Sequence, residues 1–158
     1  MENYKNPISL FKQTNFSKTI WWKLKVNISG YQNETEDKLV TEIFKNRIFR
    51  LIYPNIYQNN HKFSRILVQL YEDGYICWIN LDGLIIEKYE LNKTESLKNE
   101  HFFIKDKITS ILKWIKDQAE LTNEYLWGGT LGPNFDCSGL IQTAFLNIAF
   151  IFLETLIK

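Results

Sequence analysis

Apolar and polar residues alternate in short runs between residues 20 and 92, a pattern typical of β-strands. The clearest runs are WWKLKVNI, NRIFRLIY and RILVQLYEDGYICWINLDGLII. Two Asp-Gly pairs, at residues 73–74 and 82–83, follow apolar runs and predict tight turns, the first of them within a β-hairpin. Several short strands with turn signals and no long helix predict a small, barrel-like β domain over residues 20–92.

Outside this region the pattern changes. Residues 1–19 are polar and mixed, which predicts a loosely docked arm, and residues 93–104 are expected to form a linker. In KDKITSILKWIKDQAELT the apolar residues recur at helical spacing. This spacing predicts a helix with Asp106 as its N-cap and a stop near Asn123.

The last helix is expected to begin at about Asp136. Its sequence, CSGLIQTAFLNIAFIFLETLIK, is apolar nearly all round, which is typical of a buried helix. A membrane span needs about 20 mainly apolar residues, and four polar residues interrupt this one, so a span is not expected. These are Gln142, Thr143, Asn147 and Glu154.

Composition narrows the class of protein. The 158 residues are 45% apolar and 23% charged, as in a globular protein. The net charge of +1 does not indicate a basic surface of the kind that binds nucleic acid. The two cysteines, Cys77 and Cys137, are too few for a disulfide framework and form no metal-binding spacing. We therefore expect no metal and no cofactor. The N-terminus has no apolar stretch of signal-peptide length, which predicts a cytoplasmic protein.

Cys137 lies in the stretch YLWGGTLGPNFDCSGLIQTAF, between a glycine-rich loop and the predicted last helix. The glycines permit close backbone approach, and Pro133 stiffens the loop. The free N–H groups and the positive dipole end of a helix favour a thiolate in the first turn. These features indicate an activated nucleophile, although a buried structural cysteine is the commoner role of a lone thiol. Cys77 is expected to be a core residue.

The same stretch closely resembles the nucleophile segment of the NlpC family of papain-like cysteine peptidases, which cut bacterial cell-wall peptides. The resemblance rests on two motifs: Tyr-x-Trp-Gly-Gly at the start of the loop, and Asp-Cys-Ser-Gly at the start of a helix. The upstream LYEDGYICWINLDGL is similar to the SH3-like barrel of the recycling-type members. The resemblance implies an α+β protein, with an SH3-like β-barrel (20–92) followed by the N-terminal helical part of a papain-like NlpC domain (105–158).

The resemblance also implies roles for the matching residues. Cys137 is the nucleophile and Tyr125 lies beside the oxyanion. Asp136 and Ser138 contact the substrate, and Asp136 helps to hold its free amine. Tyr75 and Asp73 of the barrel close one wall of the pocket and read that amine. The implied substrate is a short cell-wall peptide with a free L-Ala amine, cut between γ-D-Glu and a diamino acid. Each residue also has a purely structural alternative. Tyr125 and Trp127 could be aromatic residues of the core, and Asp136 could be only an N-cap. Ser138 could be an ordinary residue of the first helical turn, and Asp73 and Tyr75 could belong to a turn without any role in binding.

A cysteine peptidase needs a base that takes the thiol proton. In the family the histidine follows the nucleophile helix, but here both histidines, His61 and His101, precede Cys137. The chain also continues as an apolar helix where the family turns to a polar loop. These departures predict a truncated, inactive peptidase that could associate through the apolar helix. A non-catalytic module that binds wall peptides is the alternative. A structural or membrane-associated protein built on that helix ranks third.

Overall fold

The computed structural model of the protein describes residues 6–52, 65–91 and 100–156, with side chains at 6–52, 65–91 and 107–147. The chain divides into two compact units, Met1–Leu91 and Asn92–Lys158. Among the described residues, the first contains one short helix and seven strands, and the second contains two long helices. The predicted α+β class is confirmed.

The strands of the first unit form one antiparallel sheet. They are β1 (Trp21–Leu24), β2 (Ile28–Tyr31), β3 (Leu39–Ile43), β4 (Ile48–Leu51), β5 (Arg65–Leu70), β6 (Ile76–Asn80) and β7 (Ile86–Tyr89). Their order in the sheet is β3-β2-β6-β5-β4-β1-β7. Within the described residues β3 and β7 do not pair, so the sheet is not closed and the SH3-like barrel stays a prediction. Alternation of apolar residues predicts strands and their inner faces, but it does not specify which edges meet.

The core lies on one face of this sheet, because alternate residues of each strand point to the same side. Trp22 and Leu24 of β1 are buried in this way, as are Phe49 and Leu51 of β4. Cys77 on β6 belongs to the same cluster, as predicted, and burial raises the pKa of its thiol to about 12.

The residues before β1 are not loosely docked. Pro7–Gln13 form α1, with Asn6 as N-cap accepting a hydrogen bond from the Ile8 N–H (2.9 Å). Phe11 is fully buried, and its ring meets Trp22 edge-on at 5.1 Å. The prediction of a loose arm was wrong for residues 7–16, because Phe16 also lies in the core and Ile8 and Leu10 pack against it.

The predicted hairpin at Asp73-Gly74 is confirmed between β5 and β6. Gly74 has a φ of +69°, which only glycine adopts without strain. Arg47 stabilises the turn, because its buried guanidinium pairs with Glu72 (3.3 Å) and with Asp73 (2.9 Å). A charge as deeply buried as Arg47 requires such partners.

The second unit contains α2 (Glu100–Ala119) and α3 (Cys137–Leu156), which contact each other. α2 begins earlier than its predicted N-cap Asp106, and residues 100–104 of the predicted linker are therefore helical. Ile111 of α2 and Ala144 of α3 are buried. However, Ile141 and Phe145 of α3 are 45% and 37% exposed, so α3 is not buried all round. In the described part of the chain, no helix has the length and apolarity that crossing a membrane requires.

Candidate functional site

The loop between α2 and α3 brings its glycines against the first turn of α3. Gly128 and Gly132 have φ values of +75° and +72°, which favour glycine. A Cβ on Gly139 would overlap the Gly129 carbonyl oxygen, and a Cβ on Gly129 would lie 2.5 Å from the Asn134 carbonyl oxygen. The Asp136 N–H donates to the Gly129 carbonyl (3.2 Å). The glycines therefore allow the loop to lie directly on the start of the helix.

The Asp136 carboxylate joins the same two elements. Oδ1 accepts hydrogen bonds from the Gly139 N–H (2.6 Å) and from the Ser138 hydroxyl (2.8 Å), and Oδ2 accepts one from the Gly128 N–H (2.9 Å). We call these three contacts the carboxylate bridge. The bond to Gly139 is that of an N-cap to the third helical residue, so the N-cap interpretation of Asp136 is confirmed.

The carboxylate bridge sets the charge state of Asp136. Partial burial raises the pKa of this carboxyl, but hydrogen bonds from Gly139, Ser138 and Gly128 outweigh that effect. The pKa of Asp136 therefore lies below its ordinary value. An anion is thus fixed beside the start of α3, next to the cysteine.

Two further contacts hold the loop. The Thr143 hydroxyl donates to the Thr130 carbonyl (2.6 Å), and both residues are buried. The Phe135 ring meets Trp114 of α2 at 6.0 Å in an edge-on arrangement. The loop is therefore fixed to both helices of the unit, and not only at its ends.

Cys137 is the first residue of α3, and it is exposed, so the alternative of a buried structural cysteine is wrong. It opens into a cleft of about 380 Å³. The cleft is lined by Gln118, Ala119, Asn123, Glu124, Tyr125, Phe135, Asp136, Cys137 and Leu140. Its described lining therefore provides two carboxylates, the thiol, a phenol and amides, and none of these lining side chains is cationic.

Tyr125 lines this cleft and is 65% exposed, while Trp127 is 63% exposed. The alternative interpretation of both as core aromatics is therefore wrong. Desolvation, Cys137 and Asp136 raise the pKa of the Tyr125 hydroxyl. The structure thus brings Tyr125, Asp136 and Cys137 together, and the phenol, protonated at neutral pH like any tyrosine, can donate a hydrogen bond.

Ser138, Asp73 and Tyr75 make other contacts. The Ser138 hydroxyl donates to Asp136. Asp73 and Tyr75 lie in the first unit, in the β5–β6 turn, where Asp73 pairs with Arg47 and accepts a hydrogen bond from the Tyr75 N–H (3.0 Å). Tyr75 is 40% exposed. The roles in substrate binding that the resemblance gave these three residues stay predictions.

The side chains at 6–52, 65–91 and 107–147 include no imidazole. His61 lies outside the described residues, and of His101 the structure describes only the backbone, in α2. Within the described part of the chain, Cys137 therefore has no candidate for the base that a cysteine peptidase requires.

Sequence reasoning missed Glu124 and Gln118 in the cleft, and it missed Asn134, whose side-chain oxygen accepts the Glu124 N–H (2.9 Å). Glu124 directly precedes Tyr125, and Gln118 lies in the last turn of α2. Their only signal was proximity to the motif along the chain. Neither apolar periodicity nor turn chemistry marks such residues.

The model of the NlpC/P60 family matches residues 122–155, a segment that contains the loop, Cys137 and nearly all of α3. No curated protein matches the chain. The family match is short, but it supports a relation to this family of cysteine peptidases.

Proposed function

We propose that residues 122–156 form the nucleophile-bearing part of a cysteine peptidase that acts on cell-wall peptides. The observation that carries this proposal is the exposed Cys137 at the start of α3, in a cleft with Tyr125 and Asp136. The match to the NlpC/P60 family covers residues 122–155.

The chemistry follows from this arrangement. The Cys137 thiolate attacks the carbonyl carbon of the scissile amide, and the carbonyl oxygen becomes an oxyanion. The Cys137 backbone N–H, at the start of α3, and the protonated Tyr125 phenol are the donors that can stabilise that charge, because the Gly139 N–H is bonded to Asp136. Collapse of the intermediate expels the amine, which takes up a proton, and water then hydrolyses the thioester.

The proton steps need a base that is not among the described side chains, and the sequence has no histidine after Cys137. An imidazole normally accepts the thiol proton and returns it to the leaving amine. We therefore propose that the 158-residue polypeptide by itself does not turn over amide bonds at an appreciable rate.

The proposed substrate is a short wall peptide with a free L-Ala amine, and the proposed bond joins γ-D-Glu to a diamino acid. The two carboxylates in the cleft, Glu124 and Asp136, favour a ligand with a cationic group. We propose further that the first unit is SH3-like, with Tyr75 and Asp73 reading the amine, and that the protein acts in cytoplasmic recycling of wall peptides.

The test is incubation of the protein with L-Ala-γ-D-Glu-diaminopimelate, with and without added imidazole. We expect no release of diaminopimelate without imidazole, and slow release with it, because a soluble base can replace the missing side chain. Cys137→Ala is the matched control and should release none in either case. Turnover without imidazole that this control abolishes would overturn the proposed inactivity. The peptidase assignment would be overturned if no diaminopimelate were released even with imidazole and if the peptide did not change the rate at which iodoacetamide alkylates Cys137.

The alternative is a module that holds the peptide without cutting it. The cleft with its exposed Tyr125 favours this function, because binding needs no base. Isothermal titration calorimetry with the same peptide should show heat that Tyr125→Ala removes. Absence of binding at millimolar peptide would exclude the module.

A further inference from the structure

A row of side chains crosses the sheet of the first unit on the face opposite the core. From β7 to β6 the directly paired residues are Tyr89, Trp21, Arg50, Gln69 and Ile76. Directly paired residues lie on the same face of a sheet, and core residues alternate with these along β1, β4, β5 and β6. We call these five residues the outer row.

The Arg50 guanidinium is held firmly at the centre of the outer row. Its Nε and Nη2 both donate to the Gln69 Oε1 (3.0 and 2.7 Å), and its central carbon lies over the Trp21 ring, 5.2 Å from the ring centre. Trp21 meets Tyr71 edge-on at 5.0 Å, and the Gln69 Nε2 donates to the Gly74 carbonyl (3.2 Å). Side chains from three strands and the β5–β6 turn therefore fix one orientation of the guanidinium.

The charge of Arg50 is not neutralised by these contacts. The sequence has three arginines, and the other two, Arg47 and Arg65, are buried and pair with carboxylates. Arg50 is half-buried and meets the neutral amide of Gln69 on its Nε/Nη2 edge. Among the described residues, no group accepts a hydrogen bond from its Nη1/Nη2 edge. That edge therefore presents two parallel N–H groups and a positive charge.

We propose that the outer row binds a peptide, in which a carboxylate pairs with the Nη1/Nη2 edge of Arg50 and an adjacent apolar side chain contacts Tyr71 and Ile76. Two parallel N–H groups match the two oxygens of a carboxylate. Tyr71, beside Trp21, is 47% exposed, and Ile76, paired with Gln69, is 53% exposed. The site belongs to the first unit and does not depend on the proposed peptidase chemistry.

The other charges on this face favour a single carboxylate over the phosphates of a nucleic acid. Lys23, two residues after Trp21, has its Nζ over the Tyr89 ring, 5.9 Å from the ring centre. Glu87 lies opposite Lys23 and pairs with Lys25 (3.1 Å). The described residues of this face therefore offer one fixed guanidinium, and not the group of cations that a phosphate backbone requires.

The test is an NMR titration of the full chain, labelled with ¹⁵N, with two matched probes. They are the N-acetylated dipeptide amides of Phe-Glu and Phe-Gln, which differ only in the carboxylate. The Arg50 Nε–H resonance, identified by its absence in Arg50→Lys, reports binding at the guanidinium. We expect the Phe-Glu probe to bind about tenfold more tightly than the Phe-Gln probe, since only a carboxylate makes charge-assisted hydrogen bonds.

N-acetylphenylalanine, whose carboxylate is a chain end, completes the set of probes. Tighter binding of either acid than of the Phe-Gln probe supports the proposal, and the tighter acid shows whether a side chain or a chain end supplies the carboxylate. Equal binding of all three probes, or no shift of the Arg50 resonance at millimolar probe, would overturn the proposal.

Two variants test the guanidinium itself. Arg50→Lys keeps a positive charge without the paired N–H groups, and Gln69→Glu keeps Arg50 but neutralises it from within the protein. Both should weaken binding of the Phe-Glu probe about tenfold, followed through the sheet amides. The control is Lys23→Gln, which removes a cation from the same face and should change the affinity less than about twofold, because salt screens an exposed charge. A loss in Lys23→Gln as large as in Arg50→Lys would show that general positive charge attracts the probe, against the proposal.

Inorganic phosphate and a second copy of the chain are the other occupants that the outer row could take. At equal concentration, phosphate should shift the Arg50 resonance less than the Phe-Glu probe does. Sedimentation should give the same mass for the unchanged protein and Arg50→Lys. Tighter binding of phosphate, or a dimer that Arg50→Lys dissociates, would identify a different occupant and overturn the peptide site.

Discussion

Replacement of Gly139 by alanine tests the close approach of α3 to the glycine loop. A methyl group at this position overlaps the Gly129 carbonyl oxygen by more than an ångström relative to ordinary contact. It also lies 3.0 Å from the Thr130 Cγ2, so the helix and the loop must separate. That movement lengthens the hydrogen bond from the Asp136 N–H to the Gly129 carbonyl, which already measures 3.2 Å.

Two effects of opposite sign determine how much Gly139→Ala changes the stability of the helix start. Alanine favours a helix over glycine by about 1 kcal/mol. Overpacking costs about 1–3 kcal/mol, and the lost backbone hydrogen bond costs about 1 kcal/mol more. The steric effect wins, and we expect a net destabilisation of about 2 kcal/mol, equivalent to a roughly 30-fold increase in the population of the opened helix start.

Hydrogen exchange of the amides in residues 137–147 measures that opening directly. Gln142→Ala, on the same helix, is the matched control, and its exchange should change by less than about twofold, within the range of surface substitutions. Unchanged or slower exchange in Gly139→Ala would show that the helix does not rest on the Gly129 carbonyl, and the described arrangement of the loop would be wrong.

Three other outcomes follow from the titratable groups. Iodoacetamide at pH 8 should label only Cys137 in the folded protein and both thiols in denaturant, because burial raises the pKa of Cys77 to about 12. Mass spectrometry counts the labelled thiols, and labelling of Cys77 in the folded protein would contradict its burial. The Tyr125 phenol, followed by difference absorbance against Tyr125→Phe, should ionise above pH 10, and Asp136→Asn should bring its titration down, since Asp136 is one cause of the raised pKa. The pKa of Asp136 is lowered by folding, so its bridge stabilises the loop above the unfolded pKa of about 3.9 and ceases to do so as the pH falls through the folded pKa. The stability difference from Asp136→Asn should therefore vanish in acid, and a constant difference down to pH 2 would be inconsistent with it.

Local sequence signals predicted the parts of the molecule that local chemistry determines. The hairpin at Asp73-Gly74 follows from a glycine that adopts positive φ between two apolar runs. The start of α3 at Cys137 follows from an aspartate N-cap before a long apolar segment. In both cases the residues that decide the structure are neighbours in the chain.

Contacts between distant residues could not be predicted in this way. The pairing of Arg47 with Glu72 and Asp73 joins residues far apart in sequence, and nothing at Arg47 marks it as buried. The position of β2 between β3 and β6 depends on edges that alternate patterns do not specify. The presence of Glu124 in the cleft depends on where the loop folds back, which the glycines permit but do not dictate.

The edge-on packing of Phe11 against Trp22 has a practical consequence for work on the first unit. The polar stretch at the amino end resembles a dispensable leader, and trimming it would be a natural step before crystallisation. Such trimming would remove a ring that fills the hydrophobic interior and would leave a void at the Trp22 indole, at a cost of about 3–5 kcal/mol for a buried phenylalanine. Any shortened version should therefore begin at or before Asn6, so that the capped helix and its anchor are retained.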